Sequence, residues 1–314
     1  MKILYCAKSD IGLLRTENQD AYSIDAGNDF FILCDGMGGA GAGSFASADA
    51  AEVILKSFKT LDQKQIKTIV RCNDDINVEI LRPIASIMLA NRHLYNLTLK
   101  YPKLAGMGST VVAAKFESET ALLHMYYVGD SRLYRIRADD IELLTKDHSK
   151  VNELIASGKA CEDEIKNTEM QCIITRALGI ESSVKIDYRA YVTNPGDYYI
   201  MCSDGLNGEI KDSDIKSIVE TNKDNLFKIP LELIKAANKS GGRDNITVLT
   251  FKIEDDGQFF EIPKNYAENV LTFSGSESKQ YLFEDTILLK LSELFNIEVP
   301  KSMKMINVFT NPVT

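Results

Sequence analysis

Apolar residues run unbroken from Phe30 to Cys34, and the first polar side chain after them is Asp35. A run of that length, rich in residues that suit a pleated surface, predicts a strand covered on both faces. Glycines at 36, 38 and 39 then let the chain turn sharply and bring main-chain carbonyls close to whatever Asp35 holds. A second mostly apolar run, Tyr198 to Cys202, delivers Asp204 into another glycine turn. One Asp-Gly pair alone is a hairpin signal. Two of them, each ending a buried strand, can face each other across a site.

The rest of the chain divides by period. Residues 3–8 predict a first strand, Ser9 to Gly12 a turn, Leu14 to Asp20 a polar loop dense in donors and acceptors, and Ala21 to Ile24 a return to extended chain. Ala46, Ala50, Val53, Ile54 and Ser57 fall at helical spacing, which predicts a helix over 43–58. Residues 59–82 give no clean pattern. Pro83 suits a first helical turn, and Ile84, Ile87, Met88, Leu94 and Tyr95 extend that helix to about Lys100. Residues 108–114, 121–128 and 132–137 read as three consecutive strands in an antiparallel meander. Further helices are predicted over 147–158, 213–221 and 230–239, and a strand over 246–251. Beyond Asp255-Asp256-Gly257 the character changes, with one amphipathic helix near 285–295. Strands grouped together, rather than alternating with helices, argue for α+β, and strands without polar alternation need cover on both faces. Two antiparallel sheets packed on each other and flanked by helices meet both demands.

Length and charge narrow the partners. A chain of 314 residues carries its own core without disulfides, and a net charge of -9 works against nucleic acid or an anionic membrane. Six cysteines lack any metal-ligand spacing and read as small buried residues of a reducing compartment, and His93, His124 and His148 read as structural. Met1 to Gly12 holds only a short apolar patch, so neither a secretory leader nor a membrane span is expected there, and a cytoplasmic monomer is.

Asp130 sits beside a glycine at a strand end and Asp244 in a glycine loop that leads into a strand, so four acids are expected to gather at one end of the sandwich. Two carboxylates about 4 Å apart repel by roughly 4 kcal/mol at an effective dielectric near 20, so such a cluster calls for a cation. Oxygen donors without Cys or His favour magnesium or manganese over zinc. Two such ions turn a bridging water into hydroxide and clamp the oxygens of an in-line displacement at phosphorus. Arg15 offers the bidentate fork a phosphate dianion prefers.

The ordered series Arg15-x-x-Asn18-Gln19-Asp20, Asp35-Gly36-Met37-Gly38-Gly39, Gly108-Ser109-Thr110, Gly129-Asp130-Ser131, Asp147-His148-Ser149, Thr175-Arg176-Ala177-Leu178-Gly179, Ser203-Asp204-Gly205 and Gly242-Arg243-Asp244-Asn245 resembles the metal-dependent serine/threonine protein phosphatases of the protein phosphatase 2C family, bacterial type. The resemblance implies a four-layer αββα sandwich over 1–254, with 255–314 a C-terminal extension of unknown role. It also implies roles. Asp35 bridges two ions, Gly36 lends a carbonyl, Asp204 and Asp244 hold the other ion, Asp20 binds there directly or through water, and Asp130 with Asp204 holds a third ion more weakly. Arg15 binds phosphate, Asn245 belongs to the last motif, and about 150–175 is similar to the family's flap. Met37 stands where eukaryotic members carry a histidine proposed as general acid, and a thioether has no proton to give. The implied substrates are phosphoserine and phosphothreonine proteins, those of a cellular kinase among them. Two alternatives are a catalytically silent binding module on the same fold and a phosphatase of small phosphorylated metabolites.

Overall fold

Strand β3 (Phe30–Met37) carries the apolar run, and its side chains divide by parity. Phe31 and Leu33 enter the core between two sheets, whereas the Phe30 ring stacks on Phe58 of helix α1 (Ala42–Thr60) at 4.3 Å between centroids. Both faces are covered, as the sequence predicts. The computed structural model describes residues 1–39, 41–71, 77–156, 158, 173–255 and 271–274. Its first compact unit is Met1–Gly275, and 276–314 lie outside the described residues, as does the helix predicted near 285–295.

Further elements in chain order are β1 (Lys2–Asp10), β2 (Asp20–Asp25), α2 (Gln63–Val70), α3 (Val78–Lys100), β4 (Gly108–Ser109), β5 (Val111–Glu117), β6 (Leu122–Val128), β7 (Arg132–Arg137), β8 (Asp140–Leu143) and α4 (Lys150–Ala156). The chain continues through β9 (Lys185–Val192), β10 (Tyr198–Cys202), α5 (Asp204–Asn207), α6 (Asp212–Thr221), α7 (Lys228–Ser240), β11 (Ile246–Glu254) and β12 (Leu271–Ser274). One sheet runs β1-β11-β10-β7-β8 and the other β12-β9-β6-β5-β3-β2, with β4 paired to β3. Every pairing is antiparallel. Helices α1 and α3 back the second sheet, and α6 and α7 pack on the first through Ile215, Val219, Leu233 and Ile234, giving the αββα order.

Three expectations need correction. The meander breaks after β6, because β7 crosses to the other sheet and pairs with β10 and β8. Leu133 of β7 then faces the inter-sheet core while Tyr134 and Ile136 face the helix layer of the first sheet, a core-and-helix split that either sheet offers, so the alternation alone does not select the sheet. Helix α3 starts at Val78, before Pro83, because Asn77 caps it by accepting from the Glu79 amide at 3.0 Å. Helix α4 starts at Lys150, later than 147, because Asp147 and His148 are held by side-chain bonds elsewhere. Residues 59–82, left unplaced, contain α2, which opens on a reciprocal capping box between Asp62 and Gln65.

Phe31 lies between Tyr5 and Phe251, stacked on the latter at 5.0 Å. Replacing it with alanine should lower stability by about 3–5 kcal/mol. Urea unfolding checks this, and a change below 1 kcal/mol would mean that the inter-sheet core collapses around the gap.

Candidate metal centre

The strand period that sends Phe31 and Leu33 between the sheets sends Asp35 to the same side, at the mouth of that core. Asp20 is its cross-strand partner in the β2–β3 register, so two carboxylates stand directly opposite each other, an arrangement that is destabilising on its own. Strands β10 and β11 bring Asp204 and Asp244 to the same end, and the β6–β7 crossover brings Asp130. All five residues are partly buried.

Close backbone approach makes the convergence possible. A Cβ on Gly36 would lie 2.0 Å from the carbonyl oxygen of Gly43, and one on Gly205 would lie 2.0 Å from that of Asn245. Only glycine fits at either place. Asp35 and Thr110 clasp each other: the Asp35 amide donates to Thr110 Oγ1 at 3.0 Å and the Thr110 amide to the Asp35 carbonyl at 2.8 Å. Asn245 joins the Arg15 loop to β11. Its Oδ1 accepts from the Gln19 amide at 2.8 Å, and its Nδ2 donates to the carbonyls of Ile11 and Glu17, each at 2.9 Å.

Around the acids the inter-sheet core gives way to hydroxyls. Ser203 Oγ donates to Asp20 Oδ2 at 2.7 Å and accepts from the Thr247 amide at 3.0 Å, and Thr247 Oγ1 lies 2.6 Å from Ser9 Oγ. Sequence reading placed Ser203 in a motif but gave it, Thr247 and Ser9 no role, because serine and threonine are ordinary strand residues. Arg15 Nη2 reaches Asp244 Oδ2 at 2.7 Å, with both side chains well exposed. The charges of Asp204 and Asp35 also help to hold its proton.

Electrostatically the cluster is frustrated. Burial, then the charges of Asp20, Asp204, Asp130 and Asp244, push the Asp35 carboxyl well above its ordinary value. Burial raises Asp20 to about 7 despite hydrogen bonds from Ser203 and Thr247, and burial with the charges of Asp204 and Asp147 raises Asp130 to about 7. Burial and Asp244 raise Asp204, against a hydrogen bond from Asp35. Asp20 Oδ1 and Asp130 Oδ1 are buried with no hydrogen-bond partner. Buried carboxylate oxygens without donors, in a cluster of mutually repelling acids, fit divalent cations. Among the described residues no three carboxylate, imidazole or thiol groups converge tightly enough to hold one ion by themselves. Carbonyl and water must therefore complete any coordination sphere, as hard cations allow. A groove of about 820 Å³ opens beside Asp130, Asp204 and Asp244 and runs past Arg132, Asn152 and Arg243, with room for an extended substrate.

The histidines hold structure. His93 Nε2 pairs with Asp49 at 2.7 Å between α3 and α1, His124 Nδ1 meets the Tyr188 hydroxyl at 2.9 Å, and His148 lies buried behind Gly129. Cys6, Cys34 and Cys202 are free thiols, while Cys72, Cys161 and Cys172 lie outside the described residues. Most of the flap-like segment, residues 157 and 159–172, lies outside them as well. Among the described residues no helix is long and apolar enough to cross a membrane.

A family model described as protein phosphatase 2C matches residues 15–241. Protein phosphatase PhpP of Streptococcus pneumoniae is 33% identical over 258 residues, spanning 79% of this chain and 96% of that protein. Among solved structures, the serine/threonine phosphatase of S. agalactiae is 32% identical with a TM-score of 0.68, covering 81% of this chain and 100% of that one. The catalytic domain of the phosphatase PstP, in complex with two manganese ions, is 29% identical with a TM-score of 0.65, covering 81% and 99%.

Asp35→Asn should have opposite effects with and without metal. In chelator it removes a repelled charge, so the melting temperature should hold or rise. Manganese at about a hundredfold its Kd should add ~2.7 kcal/mol for each ion bound to the unaltered protein and nothing to the variant. Thermal unfolding with and without manganese checks this, and a variant that melts earlier in chelator would mean Asp35 is a structural acid.

Proposed function

We propose, from the premise that the chain belongs to the protein phosphatase 2C family and is a serine/threonine protein phosphatase, that its five clustered aspartates are a centre for divalent metal. Asp35 and the Gly36 carbonyl would hold one ion, and Asp204 and Asp244 the other, with Asp35 shared and Asp20 directly or through water, which requires these acids to close in from their metal-free positions, where no three of them converge on one point. Asp130 with Asp204 would hold a third, weaker ion. Manganese or magnesium bound there supplies Lewis acidity and a water of lowered pKa. The observation that carries this reading is the pair of orphaned oxygens, Asp20 Oδ1 and Asp130 Oδ1, inside a cluster of mutually repelling acids.

The chain's own residues do the rest. Arg15 offers two parallel N–H donors to the phosphoryl oxygens. In their absence its Nη2 donates to Asp244, and an exposed pair of that kind is worth little, so a dianion can displace it. Asn245 fixes the loop that carries Arg15, through its bonds to Ile11, Glu17 and Gln19. Thr110 and Ser109 fix the Asp35 main chain, Ser109 Oγ donating to its carbonyl at 3.1 Å. Met37 provides no proton, so the departing alkoxide takes its proton from water and not from this side chain. Phosphoproteins fit the groove beside Asp130 and Asp204. Action against a cellular serine/threonine kinase, as a cytoplasmic monomer, accords with the free thiols Cys6, Cys34 and Cys202.

Purified protein with manganese should release phosphate from a phosphothreonine peptide and should stop in chelator. Asp204→Asn should abolish turnover, and Arg15→Ala should lower kcat/KM by roughly 10²-fold, only partly recovered by Arg15→Lys. A folded, manganese-replete protein that releases no phosphate would refute the assignment of these residues.

A further inference from the structure

The Asp147-His148-Ser149 and Thr175-Arg176 motifs make no hydrogen bond to any of the five aspartates, yet they meet around one buried imidazole. The Gly129 amide donates to His148 Nδ1 at 3.0 Å, and the His148 amide donates back to the Gly129 carbonyl at 2.9 Å. A peptide N–H can only donate, so Nδ1 bears no proton and the ring proton resides on Nε2. Nε2 faces Asp187 Oδ2 at 3.4 Å and lies 3.1 Å from Arg176 Nη1, a donor from which a protonated Nε2 cannot accept, and the same Nη1 donates to the other Asp187 oxygen, Oδ1, at 2.9 Å. The ring lies stacked on Tyr127 at 5.1 Å between centroids, with 5% of the His148 surface exposed. The His148 carbonyl accepts from the Thr175 amide at 2.8 Å, which ties Arg176 to the same cluster. Burial, and then the Arg176 guanidinium against the pull of Asp187, hold His148 below its ordinary value, in keeping with a neutral ring.

Gly129 is followed at once by Asp130, whose Oδ1 is buried without a partner, so no hydrogen bond of its own fixes that oxygen. We infer that His148 is a positioning residue for the weaker ion: its Nδ1 fixes Gly129 and thereby aims Asp130, while Asp187, itself held by Arg176, faces Nε2 from behind. This rests on the proposed role of Asp130. Outer partners of this kind characteristically change metal affinity about 10–100-fold when removed.

The test is a manganese binding isotherm without substrate, read from the spin-resonance signal of free manganese, on the full chain and four variants. Thermal unfolding of each variant accompanies it, with kcat and KM on a phosphothreonine peptide. Asp130→Ala should lose the weak phase and keep two tight ions. His148→Ala should weaken the same phase about 10-fold or more, with lower kcat and unchanged KM. The asparagine amide oxygen reaches the place of Nδ1, so His148→Asn should return most of the lost affinity. Glutamine reaches the place of Nε2, so His148→Gln should not. The asparagine and glutamine variants differ little in polarity, so their contrast stands even where alanine unfolds the chain. If Asp130→Ala loses the weak phase while the His148 variants keep it, or glutamine rescues and asparagine does not, the positioning role is overturned and the Asp130 assignment survives. If Asp130→Ala keeps the weak phase, the Asp130 assignment falls and the positioning role falls with it.

Discussion

Like charges held together away from water are the constraint to which the rest of this molecule answers. Asp20 and Asp35 face each other across two strands, and Asp130, Asp204 and Asp244 crowd the same mouth. No folding force favours this arrangement in isolation, since each pair of neighbouring carboxylates repels by a few kcal/mol. The cluster persists because each acid continues a strand or crossover whose hydrophobic side chains are already committed to one of the packed layers.

The coupling of core and centre is therefore geometric. The residues Phe31, Leu33, Leu123, Tyr127, Met201, Leu249 and Phe251 fill the space between the sheets, and two positions from Leu33, Tyr127, Met201 and Leu249 the same faces present Asp35, Gly129, Ser203 and Thr247. A sheet whose register slipped by one residue would bury the acids among the helices and expose the core. Reciprocal clasps then trim the backbone. Asp35 with Thr110 and Gly129 with His148 each exchange two hydrogen bonds, and the Asn245 side chain makes three across to the Arg15 loop. Such bonds hold donors and acceptors in place without adding charge, which leaves the charge imbalance for a cation to offset.

Much of this was legible in the chain. The Phe30 to Asp35 run fixed a two-faced strand with an acid at its end, its echo at Tyr198 to Asp204 fixed the partner, and the ordered motifs tied both to the protein phosphatase 2C family. The course of the strands between them was less so. Strand β9 alternates Ile186, Tyr188 and Ala190 with charged neighbours but sits in a charged region, and β7 leaves its sequence neighbour for another sheet, which local pattern does not encode. Supporting groups were hidden for a different reason. Ser203, Thr247 and Thr110 look like any half-buried strand residues, and the bond between Gly129 and His148 joins positions 19 apart. Hydrogen bonds between distant loops have no period to read.

The central claim is that this knot of acids exists to be neutralised by a pair of ions that share Asp35. Anomalous scattering at the manganese edge, from crystals grown with the metal, tests it most directly. Two peaks roughly 3.5–4 Å apart, with the Asp35 carboxylate between them and Asp204 and Asp244 beside one of them, are the predicted result. One peak, or peaks that leave Asp35 without metal, would contradict it.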